Sequence, residues 1–192
     1  MSVFTEQKAR KLTIYELAQE KLNGNLLREF NEFLEFLRGE EAKFVLCAAN
    51  KYSANYKGNG IAVIAIHEQN MIRIEIYTGE KDNLDEYLDE QTNEIVDLFM
   101  ERINSKCRQC RPTCGCSRGP GFTYTVLGNE YKNICHGALG YAFANSDDNI
   151  QTLTLFVPGA DRPGPPPIVR SVPIETVKNL ILAKKKYVGR TK

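Results

Sequence analysis

The chain lacks an excess of charge of either sign: 25 lysines and arginines stand against 24 aspartates and glutamates, a formal net charge of +1. A chain so nearly neutral has no global field to steer it toward nucleic acid or an anionic membrane, so any such contact must come from a local patch. Long apolar runs are also missing. The longest, residues 61–66 and 44–49, fall far short of the roughly 20 apolar residues that a spanning helix needs. The opening MSVFTEQKARKLTIYELAQ is charged throughout and lacks the apolar stretch of about 7 to 15 residues that marks a secretory signal. These absences predict a soluble, cytoplasmic protein with no membrane partner. Histidine is scarce, with only His67 and His136. No G-x-S-x-G elbow, phosphate-binding loop or H-E-x-x-H helix occurs, which disfavours hydrolytic chemistry, indicates no nucleotide cofactor and leans away from an enzyme. Internal repeats are absent too.

Composition is ordinary, with 42% hydrophobic and 26% charged residues, so a chain of this length can bury a core without staples. A single domain is expected: N-terminal helices over residues 1–40, a sheet-and-helix core over 43–103, a cysteine-rich subregion over 104–136, then closing strands, a proline-rich loop and a helix over 137–192.

Thr13-Ile14-Tyr15-Glu16 has the form of a capping box and predicts a helix start. Asn23-Gly24 should stop that helix and Asn25 should cap the next, whose stripe of Leu26, Phe30, Phe33 and Leu37 faces a core and ends at Gly39. Residues 44–47 read as a short strand and 53–60 as a turn. Residues 61–66 and 71–77 read as a strand pair joined through 67–70, with Ile72, Ile74 and Ile76 inward, Arg73 and Glu75 outward, and His67 in the connection. Helical pieces follow over 84–103, broken near 89–92. Phe122, Tyr124 and Val126 alternate into a hairpin turn at Gly128-Asn129, and residues 131–135 return. Two more strands are expected within 137–145 and 152–157.

Residues 158–173 hold six of the eight prolines, which makes the segment an extended connector; Pro173 then suits the first turn of a closing helix. Val177, Ile181 and Val188 give that helix an apolar edge, and Lys184-Lys185-Lys186 reads as a solvated face at its negative end. Helices, then strands, a helix and strands again predict an α+β fold: N-terminal helices on a curved antiparallel sheet, with a cysteine-rich knuckle and a C-terminal helix.

Five of the six cysteines fall between residues 107 and 135 in the order C-x2-C-x3-C-x-C-x18-C. A tetrahedral zinc site needs four ligands with thiolates about 2.3 Å from the metal, and C-x2-C on a tight turn supplies two of them. Cys107 and Cys110 are that half. The hairpin that follows returns Cys135, and Cys114 and Cys116 compete for the fourth place, with His136 as a further substitute. Between Glu101 and Glu130 there is no acidic residue, while Arg102, Lys106, Arg108, Arg111 and Arg118 are basic. That field lowers thiol pKa, which favours thiolate ligation of zinc but equally suits a redox-active Cys107/Cys110 pair; an iron–sulfur cluster is the other occupant of this ligand type. Cys47, alone in an apolar run, reads as a small buried hydrophobe.

Tyr52, Tyr56 and Lys57 form a further candidate ligand-binding surface beside a glycine turn. A weaker nucleic-acid reading uses the arginine-rich cysteine loop and residues 184–186, with Tyr124 and Tyr131 available to stack. Partner and oligomeric state are left open.

The motif order S-A-N-Y-K-G, an apolar hairpin, E-Y-L-D-E-x-T-x-E-I-V, C-x-x-C and T-V-L-G-N-E-Y-K-N-I-C resembles an uncharacterised family of cytosolic bacterial proteins that carries C-x-P-G followed by T-V-x-G-K-E-F-x-N-V-C. The resemblance covers about residues 26–188 and maps the family cysteines onto Cys107, Cys110, Cys116 and Cys135, leaving Cys114 as an extra. The chain departs from it in Asn129 where the family has lysine, in having no tryptophan, and in its proline-rich insertion. A fainter similarity to YdhG-like domains implies an α+β scaffold with a curved antiparallel sheet. Neither likeness implies an activity.

Overall fold

A computed structural model of the chain describes residues 2–77, 88–89, 91–105, 122–134, 140–156 and 170–190. In chain order the elements are α1 (Val3–Ala9), α2 (Ile14–Lys21), α3 (Gly24–Gly39), β1 (Lys43–Ala48), β2 (Lys51–Tyr56), β3 (Asn59–His67), β4 (Met71–Tyr77), α4 (Asn93–Ser105), β5 (Phe122–Val126), β6 (Asn129–Ile134), β7 (Gly140–Asp147), β8 (Asn149–Phe156), β9 (Arg170–Pro173) and α5 (Ile174–Arg190). They form two compact units. One comprises Met1–Ile76, Ala142–Leu155 and Arg170–Lys192; the other comprises Tyr77–Tyr141 and Phe156–Val169.

The first unit carries an open, antiparallel seven-stranded sheet in the order β1-β2-β3-β4-β7-β8-β9, so the fold is α+β. Its register explains its two faces. Leu46 pairs with Tyr52, Tyr52 with Ile64 and Ile64 with Ile74, while Ile66 pairs with Ile72. Because side chains alternate along a strand, these residues share one face, and Ile64, Ile66, Ile72, Ile74 and Ile76 are fully buried there. The opposite face carries Lys51, Ser53, Val63, Arg73 and Glu75 at intermediate exposure.

The N-terminal helices supply much of the core. α2 starts at the expected capping box: Thr13 Oγ1 accepts from the Glu16 N–H at 3.2 Å, and the Thr13 N–H donates to Glu16 Oε2 at 2.7 Å. Leu26, Phe30, Leu34 and Leu37 of α3 are fully buried and Phe33 nearly so. Glu29, on the same helix, is buried, and its carboxylate accepts from the Ile150 N–H at 2.9 Å and from Asn25 Nδ2 at 2.8 Å. One ionic side chain thus ties α3 to the start of β8.

Several local expectations are corrected. Asn23, with extended backbone, occupies the N-cap position of α3 without a side-chain capping bond, and Asn25 lies inside the helix with its amide on Glu29. Residues 51–56 are strand, and the turn contracts to Lys57-Gly58, with φ of 49° and 84°, the left-handed pair that a two-residue hairpin turn requires. His67 is the last residue of β3, opposite Met71, and the turn is 68–70. α1 is an addition that the sequence reading missed. It is capped by Ser2, and its buried Gln7 bonds the left-handed Asn50 through both amide atoms. Pro173 ends β9 opposite Thr152, and α5 begins one residue later. The apolar edge of α5 is present, with Val177 and Ile181 fully buried and Val188 at 5% exposure.

In the second unit α4 begins at Asn93, directly after the expected break near 89–92. β5 and β6 form the expected hairpin, but its turn is Leu127-Gly128, since Val126 already pairs with Asn129.

Candidate functional site

Cys107, Cys110, Cys114, Cys116, Cys135 and His136 lie outside the described residues, as do residues 158–169 of the proline-rich connector. What the structure describes is how the chain approaches the cysteines. α4 ends at Ser105, two residues before Cys107. β6 ends at Ile134, one residue before Cys135, and Ile134 pairs with Phe122 at the start of β5. Phe122 follows Cys116 by six residues in sequence. Among the described residues, no group of three or more His, Cys, Asp or Glu side chains is placed to hold a metal ion.

Topology adds a second fact. β4 runs out at Tyr77, β7 enters at Gly140, β8 runs out at Phe156 and β9 enters at Arg170. These four strands are sheet neighbours of alternating direction, so all four termini lie at one end of the sheet. The β2–β3 turn, with Tyr56 and Lys57, lies at the same end, because β2 runs parallel to β4 with the antiparallel β3 between them.

Of the three residues singled out beside that turn, Tyr52 is committed to packing. It is 2% exposed and its hydroxyl donates to the Leu12 carbonyl at 2.5 Å. Burial, and then the negative charges of Glu16 and Glu20, push its ionisation up to about 12. Tyr56 is half-buried. The Lys185 ammonium sits 4.7 Å and the Lys57 ammonium 5.1 Å from its ring centroid, and Lys185 is also paired with Glu40 at 2.7 Å. Two cations attracted to one aromatic face system and one carboxylate anchor make a compact charged cluster where α5 meets the β2–β3 turn.

This geometry corrects the reading of residues 184–186 as a solvated face. Lys184 is 5% exposed with its ammonium 5.3 Å from the Tyr187 ring centroid, Lys185 is engaged with Glu40 and Tyr56, and only Lys186 is exposed. The lysine stems cover apolar surface while their heads stay polar. Tyr124, offered for stacking on bases, is 2% exposed and Tyr131 is half-buried, so the hairpin does not present an open pair of rings. Cys47 is also corrected. It is exposed, at a bulge where the β1–β2 register shifts between Leu46 and Ala48, and its thiol donates to the Lys51 carbonyl at 3.5 Å. Its exposure follows the regular alternation of β1, in which Lys43, Val45 and Cys47 share the open face.

No described helix is long and apolar enough to cross a membrane. Comparison of the chain with family models, curated proteins and solved structures finds no match.

Proposed function

We propose that the chain is a metal-stabilised binding or sensor module, in which the thiolates of Cys107, Cys110, Cys116 and Cys135 close around one structural zinc ion. The β5–β6 hairpin supports this reading: Ile134, one residue before Cys135 in sequence, pairs with Phe122, six residues after Cys116. Four thiolate ligands leave zinc no open position, which suits a structural role. The basic run around the cysteines offsets the roughly −2 charge of such a centre. Cys114 is the thiol left over.

Elemental analysis of the full chain purified without added metal tests this directly. About one zinc per chain is expected, and Cys135→Ser should lower the content well below that. A metal-free protein whose melting does not respond to added zinc would overturn the reading. The same basic run also favours a second reading, a redox pair at Cys107 and Cys110, because positive charge activates thiolates. Thiol counting before and after a mild oxidant separates the two: reversible loss of two thiols supports the redox pair, whereas zinc-protected thiols support the structural site.

A further inference from the structure

The seven-stranded sheet has two edges, and they differ in kind. β9 is four residues long and contains Pro173 and Arg170, a short edge with a residue that cannot donate to a ladder. Short length, proline and charge are the usual devices that prevent a sheet edge from pairing with another chain.

β1 has little of that protection. Its sequence is Lys-Phe-Val-Leu-Cys-Ala, with one charge and no proline, and every one of its residues is exposed or half-buried. Val45, at 54% exposure, is the most exposed large apolar side chain among the described residues. Phe44 and Leu46 on the helix-bearing face also remain half-buried, so β1 leaves apolar surface open on both of its faces. The stretch Lys43–Leu46 pairs with β2 without interruption, and the register shift comes only after it. The backbone over those four residues is regular strand, and among the described residues no strand pairs with its outer side.

We propose that β1 is a self-pairing edge through which two copies of this chain join antiparallel, continuing their sheets across a two-fold axis at Val45. The sequence of β1 is complementary to itself in that register. Val45 faces Val45 on one side of the sheet, Phe44 faces Leu46 on the other, and the single cation, Lys43, falls opposite position 47, where the bulge begins, instead of a second cation. Like charges directly opposite each other would oppose pairing, and this register has none. The two-fold axis keeps the helix-bearing faces of both copies on the same side, as an isologous contact requires. A short strand pair buries little surface, so the dimer is concentration-dependent and not obligate.

Sedimentation equilibrium of the full chain under reducing conditions is the first measurement. The expected mass rises from the 21.7 kDa of one chain toward twice that value as concentration increases. Val45→Lys, which sets two ammonium groups face to face at the axis, should weaken association about tenfold or more while leaving the far-UV circular dichroism unchanged. Register is tested with Val45→Cys under mild oxidant: paired residues have Cα atoms about 4.5–5.5 Å apart, within disulfide range. Peptide mapping should recover a 45–45 crosslink in preference to a 47–47 crosslink. A wild-type chain that stays monomeric at the highest soluble concentration, a Val45→Lys variant that dimerises as tightly as wild type, or a dominant 47–47 crosslink would each overturn the proposal.

Discussion

Tyr52 shows how a single polar atom reports on a whole packing arrangement. Its ring fills the space between β2 and the segment before α2, and its hydroxyl closes the one carbonyl, Leu12, that faces it. Burial raises its ionisation to about 12 from an ordinary 10. The group is neutral when protonated, so the folded state holds its proton more tightly than the unfolded state. The stabilisation is complete below pH 10 and is lost as pH rises through about 12, because the unfolded chain deprotonates first. Unfolding free energy measured by urea titration should therefore fall across this window, and Tyr52→Phe should flatten that decline. At pH 7 the same variant should cost about 1 kcal/mol, since it leaves the Leu12 carbonyl without its donor. An identical alkaline slope in both proteins would place the titration elsewhere.

Individual elements divide by how much of their character is local. The Thr13–Glu16 box, the α3 stripe and the alternation of Ile72, Ile74 and Ile76 were legible because cap chemistry and side-chain period are properties of short windows. β2 was not, because Ser53, Asn55 and Gly58 belong to residue types that favour turns, and only pairing with β1 and β3 on both sides makes residues 51–56 strand. The exposure of Cys47 follows from its phase on β1 and from the place of β1 at the edge of the sheet, which depends on strand order. The burial of Lys184 depends on where α5 lies. The cysteine spacing was legible as a candidate site because ligand spacing is a property of the sequence itself.

The β5–β6 hairpin illustrates an element that works against a local preference. Leu127 occupies the first turn position with φ of 49°, where a bulky L-residue is strained, and its side chain is 43% exposed. Gly128 follows at φ of 73°. Leu127→Asn creates the Asn-Gly pair that this turn type favours and removes an exposed apolar group. The expected gain is about 1 kcal/mol, the scale of the left-handed penalty for an ordinary residue. Slower amide exchange across residues 122–134 would register it; faster exchange would show that the leucine side chain makes a contact worth more than the strain.

At the scale of the molecule, β4 and β7 are sheet neighbours although about 60 residues separate them in sequence. The chain leaves one well-formed sheet, builds α4 and the β5–β6 hairpin within the second unit, and returns to lie beside the strand it left. The cysteines proposed as zinc ligands all fall in that excursion, and all the core residues of β1–β4, α2 and α3 fall outside it. Under the proposed zinc site, metal binding would contribute to the stability of the second unit, since a site absent from the unfolded state converts binding free energy into folding free energy. Chelation of the full chain should accordingly accelerate amide exchange in α4 and in β5–β6, by tenfold or more, while the buried amides of Ile64, Ile74 and Leu34 keep their protection. Uniform loss of protection across both sets would show that the two units unfold as one. No change in either set, in protein confirmed to have carried zinc, would place the metal outside the excursion.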